Sequence, residues 1–214
     1  MADTYVKGDE FVRRLLRGES IFENIELERN FNLNQHSLFS ALQEYLRSYI
    51  VPSRRLSFNY SIFAGLKAKG LYLPCLNGTC LELSQAELDG ATLDGAFFSG
   101  AILNKTSFKG ASMVSVNFDM ATLIGTKFNK ANLTDANFHD SCASASFEEA
   151  ILVDTCFDSV DLVGANLNGA DIRGTRFRRA NVGKGGLDNC VNLHLADTSG
   201  MIVVDYPRVY GAKR

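Results

Sequence analysis

Between Ala86 and Asp140 the chain reads AELDG ATLDG AFFSG AILNK TSFKG ASMVS VNFDM ATLIG TKFNK ANLTD ANFHD. A small residue opens each block of five, and Leu, Phe or Met stands at its centre: Leu88, Leu93, Phe98, Leu103, Phe108, Met113, Phe118, Leu123, Phe128, Leu133 and Phe138. The four residues Ser141 to Ser144 break step, and the period resumes from Ala145 as ASFEE AILVD TCFDS VDLVG ANLNG ADIRG TRFRR ANVGK. Its centres are Phe147, Leu152, Phe157, Leu162, Leu167, Ile172, Phe177 and Val182. Neither the helical period of 3.6 nor the strand period of 2 survives a repeat of five. Each block must therefore turn the chain and bring the next centre inward, which makes the fold a solenoid.

The tandem A-(D/N)-(L/F)-x-x pattern, complete at Ala131-Asn132-Leu133, Ala165-Asn166-Leu167 and Ala170-Asp171-Ile172, resembles the pentapeptide-repeat family. The resemblance implies an all-β solenoid, a right-handed quadrilateral β-helix with four blocks per coil. Four sides per coil should stack every fourth centre, and they do. One column collects Phe98, Phe118, Phe138, Phe157 and Phe177; the opposite one collects Leu88, Phe108, Phe128, Phe147, Leu167 and Leu187. The other two hold Leu93, Met113, Leu133, Leu152 and Ile172, and Leu103, Leu123, Ala143, Leu162 and Val182. Counting Ser141 to Ser144 as one shortened block keeps the phenylalanines in register, with Ala143 as its weak centre.

The register extends backwards through Leu83, Gly78, Leu73, Ala68, Phe63 and Phe58, with Leu66, Leu71, Leu76 and Leu81 where small openers belong. Residues 56–192 are thus expected to form the repeat β-helix, six to seven coils and ~30 Å long at a strand spacing of ~4.8 Å. Asp or Asn just before a centre is placed to accept turn amides. A stack of coils leaves backbone edges at both ends that must be covered. Residues 1–55 read as an N-terminal helical, capping segment. Ser37 to Val51 carries an apolar stripe that starts after Asn34 and stops at Pro52, Asp9 to Arg17 is a shorter helix, and Ile21 to Leu33, with Phe22 and Leu27 five apart, is a degenerate first coil interrupted by the longer helix. In residues 193–214, Met201 to Asp205 is a short apolar strand that either covers the last coil or pairs with a second chain, giving a homodimer through a terminal coil.

A formal net charge of −2 over 214 residues gives no global field that implies direct nucleic-acid or membrane binding. No apolar run reaches 18 residues, and the N-terminus lacks the charged and apolar regions of a signal peptide, so the expected location is cytoplasmic. The five cysteines form no compact disulfide framework, and reduced thiols are expected. Cys75 and Cys80 lie one block apart on adjacent faces; Cys142 and Cys156 precede centres and read as semi-buried fillers. His36, His139 and His194 show no zinc-ligand spacing, and no phosphate loop occurs. No cofactor, metal or catalytic residue is therefore expected.

One charge pattern stands out. Between Lys130 and Arg173 there are eight acids, Asp135, Asp140, Glu148, Glu149, Asp154, Asp158, Asp161 and Asp171, and no Lys or Arg. A solvated surface is the plain explanation. The functional one is an acidic docking strip of Asp135, Asp140, Asp154 and Asp158, Asp135 standing over Asp154 and Asp140 near Asp158. The leading expectation is a non-catalytic module presenting a rigid surface to a protein partner. A second follows from the resemblance, since some family members mimic B-form DNA in shape and charge and bind DNA gyrase, conferring quinolone resistance. Residues 56–200, with 15 acids against 11 bases, carry too little negative charge for a mimic. An enzyme with an unrecognised site is the lesser alternative, because no acid, base and nucleophile converge.

Overall fold

The structure is a computed structural model that describes residues 4–49 and 55–205. Its backbone is a ladder of parallel bridges with an offset of one coil. Ser57 pairs with Asn77, Ile62 with Glu82, Lys67 with Glu87 and Tyr72 with Thr92, and the same four sides repeat down the chain. The bridging residue is the one before the centre; opener and centre both point inward and are buried, apart from openers such as Ala165 that are half-buried. The centre's carbonyl accepts the N–H of the next opener, as Phe98 does from Ala101 at 3.0 Å, closing a turn whose third residue has positive φ, the type II signature. That residue is the fifth of each block. Glycine occupies it at Gly90, Gly95, Gly100 and Gly110, but Lys105, Ser115, Met120, Lys130 and Arg179 hold the same left-handed conformation. None of these is β-branched, the residue class least able to adopt it.

The two phenylalanine columns meet in the lumen. Phe118, Phe138, Phe157 and Phe177 stack at successive centroid separations of 4.8, 4.9 and 5.6 Å, and Phe108, Phe128 and Phe147 at 5.4 and 5.2 Å. Across the lumen, Phe128 meets Phe138 edge-on at 5.8 Å and Phe147 meets Phe157 at 5.4 Å. Where openers are Thr, the hydroxyl donates to a carbonyl of the coil before, Thr126 to Leu103 and Thr155 to Leu133, both at 2.8 Å.

The shortened block lies where the sequence places it. Thr122 pairs with Cys142 at the standard offset, but the next bridges, Lys127 to Ser146 and Asn132 to Ile151, close on one residue fewer. Ala143 is a buried centre between Leu123 and Leu162, and the Ser141 hydroxyl, buried beside it, has no hydrogen-bond partner. Cys142 is exposed on this block, so it is no buried filler; Cys156 is buried. Cys75 and Cys80 stand on corners, both with positive φ, and not on faces.

At the N-terminal end, β1 (Thr4–Val6) pairs in parallel with β2 (Ile25–Leu27), and α1 (Gly8–Leu16) runs between them. Ile21, Glu26 and Asn32 bridge to Ser57, Ile62 and Lys67, so a first coil precedes residue 56 and has three bridged sides. A 3-10 turn, Leu33–Gln35, and α2 (Phe39–Tyr49) occupy the fourth; α2 starts two residues later than the expected Ser37, and its expected end at Val51 and Pro52 falls outside the described residues. Side-chain amides replace the missing rung. Asn34 donates to the Lys69 carbonyl and accepts the Lys69 N–H, both at 2.8 Å, while Gln43 donates to the Gly70 carbonyl at 2.6 Å and accepts the Tyr72 N–H at 3.0 Å. Beneath them the α1 ring of Phe11 packs on Phe22, Phe58 and Phe63.

At the other end β3 (Asp161–Leu162), β4 (Asn181–Gly183) and β5 (Ile202–Val204) form successive parallel rungs, which carries the ladder past the expected boundary at 192. A second 3-10 turn, Leu193–Leu195, adds one residue, so Arg176 bridges Asp197 at a longer offset.

Candidate interaction surface

Every outward side chain of the solenoid belongs to the second, fourth or fifth position of a block, and its neighbours in the column are one coil away. The fourth-position N–H is satisfied in two ways. Within a block, a second-position Asn or Asp accepts it: Asn137 from His139 and Asp161 from Val163, both at 3.1 Å. Between coils, a fourth-position carboxylate accepts it from the coil below, as Asp94 does from Val114 at 2.9 Å and Asp158 from Arg178 at 3.1 Å. The Asn and Asp of the repeat signature are therefore turn acceptors first.

This sorts the eight acids. Asp161 is engaged with its turn, Asp171 with Arg173 at 2.8 Å, Glu149 with Lys130 at 3.3 Å and Glu148 with the Asn129 amide at 2.9 Å. Asp158, a fourth-position residue, also lies 3.3 Å from the Arg176 guanidinium. Asp140 is a fifth-position corner residue in the row of Met120 and Ser159, offset by one block position from Asp158, and sits 3.3 Å from His139 Nδ1. The same imidazole is 3.4 Å from Asp119. Asp135 and Asp154 are the exception. They occupy one corner in consecutive coils, with φ of 58° and 56°, and among the described residues neither carboxylate has a hydrogen bond or ion pair. Below them the corner passes to Gly174, where a Cβ would collide with the Asp154 carboxylate. Of the four expected strip residues, the structure thus brings two together as free charge and ties the others to basic neighbours.

Basic residues gather just past the acids, at Arg173, Arg176, Arg178, Arg179 and Lys184, and reading them one at a time does not reveal how they pair. Arg173, Arg176 and Arg178 each hold an acid, the last reaching Asp197 at 2.7 Å. The hydroxyl and N–H of Ser199, together with Arg178, hold the Asp197 carboxyl down at about 2. The one-coil spacing between Asp158 and Arg176 was the sequence signal for such pairs. Cys190, half-buried, has its thiol pushed up to about 11, chiefly by burial and then by Asp188, which leaves it a poor nucleophile at neutral pH. Among the described residues no group of three His, Cys, Asp or Glu is arranged to hold a metal, and no helix is long and apolar enough to cross a membrane.

Residues 82–119, 116–144 and 141–179 match the family model described as pentapeptide repeats, in eight copies. No curated protein sequence matches the chain. Among solved structures it is similar to a pentapeptide repeat protein from the Arabidopsis thaliana thylakoid lumen, at 28% identity and a TM-score of 0.43 over 44% of this chain and 66% of that one, just under two thirds of its length. It is also similar to HetL, a pentapeptide repeat protein involved in heterocyst differentiation regulation from the cyanobacterium Nostoc sp., at 18% identity and a TM-score of 0.46 over 92% of both chains. QnrB1, a plasmid-mediated fluoroquinolone resistance protein, matches at 15% identity and a TM-score of 0.37 over 70% of this chain and 83% of that one.

Proposed function

Residues 82–179 belong to the pentapeptide-repeat family, and on that premise we propose that the protein is a non-catalytic module, acting in the cytoplasm, that presents a rigid face to another protein. The fold is taken as a right-handed, four-sided β-helix closed at its N-terminal end by α1 and α2. The observation that carries the functional reading is the corner of Asp135 and Asp154. Of the eight acids between Lys130 and Arg173, six are engaged by a turn amide, Asn129, His139, Lys or Arg, and among the described residues these two carboxylates stand stacked and unengaged. Their side chains project from turns fixed by coil-to-coil bonds, Asp135 N–H to the Val153 carbonyl at 2.9 Å and Asp154 N–H to that of Arg173 at 2.8 Å. Preformed charge of this kind steers and orients a basic partner at little cost in ordering.

Affinity capture from the source cell with the wild type and with Asp135→Asn/Asp154→Asn tests the reading. A partner held by the wild type and released by the variant, and by salt, supports it; a partner held equally by both removes the corner from the interface. The mimicry of DNA is less well supported, because the pairing of Asp158, Asp171 and Asp197 with arginines breaks the acidic surface that a gyrase-binding mimic requires.

The same reading includes a homodimer through the terminal coil. Ile202 and Val203 of β5 are 54% and 57% exposed, and among the described residues β5 is paired on one edge alone. An open apolar edge favours a second copy related by a two-fold axis. Sedimentation across concentration should show a dimer that Ile202→Lys dissociates; a wild type that stays monomeric at all concentrations removes this part of the reading.

A further inference from the structure

The lumen changes character toward its N-terminal end. In the column of Phe98 and Phe118 the earlier centres are Phe58 and then Gly78, and in the column of Phe108 and Phe128 they are Ala68 and then Leu88, so each column has one small centre near this end. Leucines at the opener positions, Leu66, Leu71, Leu76 and Leu81, are buried in their place. The exchange is close at Gly78, where an added Cβ would stand 3.0 Å from the Phe98 ring and 3.1 Å from Leu81. It is incomplete beside it. A cavity of about 30 Å³ remains, walled by Leu and Phe side chains alone, from Phe11 of α1 and Leu42 and Leu46 of α2 above, through Leu73 and Leu83, down to Phe98.

A void of that size exceeds the ~10–15 Å³ that a water molecule needs, but an ordered water also needs two to four polar partners. The wall has none, so hydration of this cavity is unfavourable and the space stays dry. An apolar guest forfeits no hydrogen bond on entry and gains the dispersion contacts that the wall lacks, which offset its lost translational freedom. The roof is the part able to admit one. α2 is held to the rung below by side chains, with Gln43 bonded to it and Arg47 lying 5.9 Å over the Tyr72 ring, and local opening of an element held in this way is less costly than unfolding a coil.

We propose that this cavity is a binding site for one small non-polar molecule, of the class of dioxygen, methane or xenon, which enters beneath α2 and stabilises its docking on the first coils. Xenon is the probe. Methyl resonances of Leu42, Leu46 and Leu73 in the full chain should shift saturably with xenon pressure, while those of Leu133 and Leu152 stay still. Melting temperature should rise with xenon as the occupied site draws the equilibrium to the folded state. Leu73→Phe should fill the space and abolish the shifts. Leu42→Ala should enlarge it and saturate at lower pressure, and Leu73→Met serves where the Phe variant does not fold. Saturable shifts confined to this cluster, lost or weakened on filling and strengthened on enlarging, support the site. Unsaturable or scattered shifts, or shifts indifferent to both substitutions, overturn it.

Discussion

Phe138 lies 4.8 Å from Phe118 and 4.9 Å from Phe157 within its own column, and meets Phe128 and Phe147 edge-on across the lumen. No neighbouring side chain can relax into its space without leaving its own stack. Phe138→Ala should therefore cost ~3–5 kcal/mol, near the upper range for such truncations. A loss under ~1 kcal/mol in denaturant unfolding would show that the ring is not in the column. The corners obey a different rule. At the fifth position the backbone is left-handed whatever the residue, so Met120 and Lys130 bear a strain of roughly 1–2 kcal/mol that glycine avoids. The spacing of glycines in the sequence marked these turns, but the non-glycine corners carry no signal except the absence of β-branched residues. Asp197 sets an acid limit at the last coil. Its folded pKa of about 2 lies below the unfolded value of 3.8, so its contribution is complete above pH ~4 and disappears as pH falls toward 2. Melting curves of Asp197→Asn should lie below the wild type at neutral pH and converge with it near pH 2. A constant gap across that range would show that the carboxylate's charge is not what matters.

Among the elements, the shortened block and the interrupted first coil show how far the period carries. Ser141 to Ser144 was legible as a four-residue block because the phenylalanines on either side kept their columns, and the bridges close on one residue fewer just there. An inserted residue in this block restores a corner that the blocks on either side of it possess. One residue deleted from Ala131 to Phe138 instead turns every later centre outward. Insertion should thus change the thermal midpoint little while deletion prevents folding. Equal damage from both would mean that the block is tuned to its length. The first coil was legible through Phe22 and Leu27. Its fourth side was not, since nothing local in the sequence indicates that Asn34 and Gln43 will stand in for a rung. That exchange depends on residues 27 or more positions away, and a local period carries no such information. The strand Ile202–Val204 was likewise visible as an apolar run, while its place on the ladder required the extra residue of the 3-10 turn before it.

For the molecule as a whole, charge is arranged by coil. The acids between Lys130 and Arg173 were legible as an excess, but which of them remain free depended on the one-coil contacts to Arg176 and Arg178 and on the block position of Asp158. Asp135 and Asp154 stand one rung apart, and like charges at that distance oppose the fold by about 0.2–1 kcal/mol, less with salt. Asn also accepts a left-handed backbone readily. Asp135→Asn/Asp154→Asn should therefore melt at the same temperature as the wild type or higher at low salt, with the difference closing as salt rises. A markedly lower melting point would make these carboxylates structural and remove them as a docking surface. The bridges have one more consequence, which is mechanical. Nearly every one joins a coil to the next, so the bonds lie along the rod. A load applied to its two ends passes through each interface in series, four rungs at a time. Traction would then peel the molecule open one turn after another, each releasing at most ~70 Å of chain for a 20-residue turn, and the turn that contains Ser141 to Ser144 would be the one step of a different length within the regular stretch.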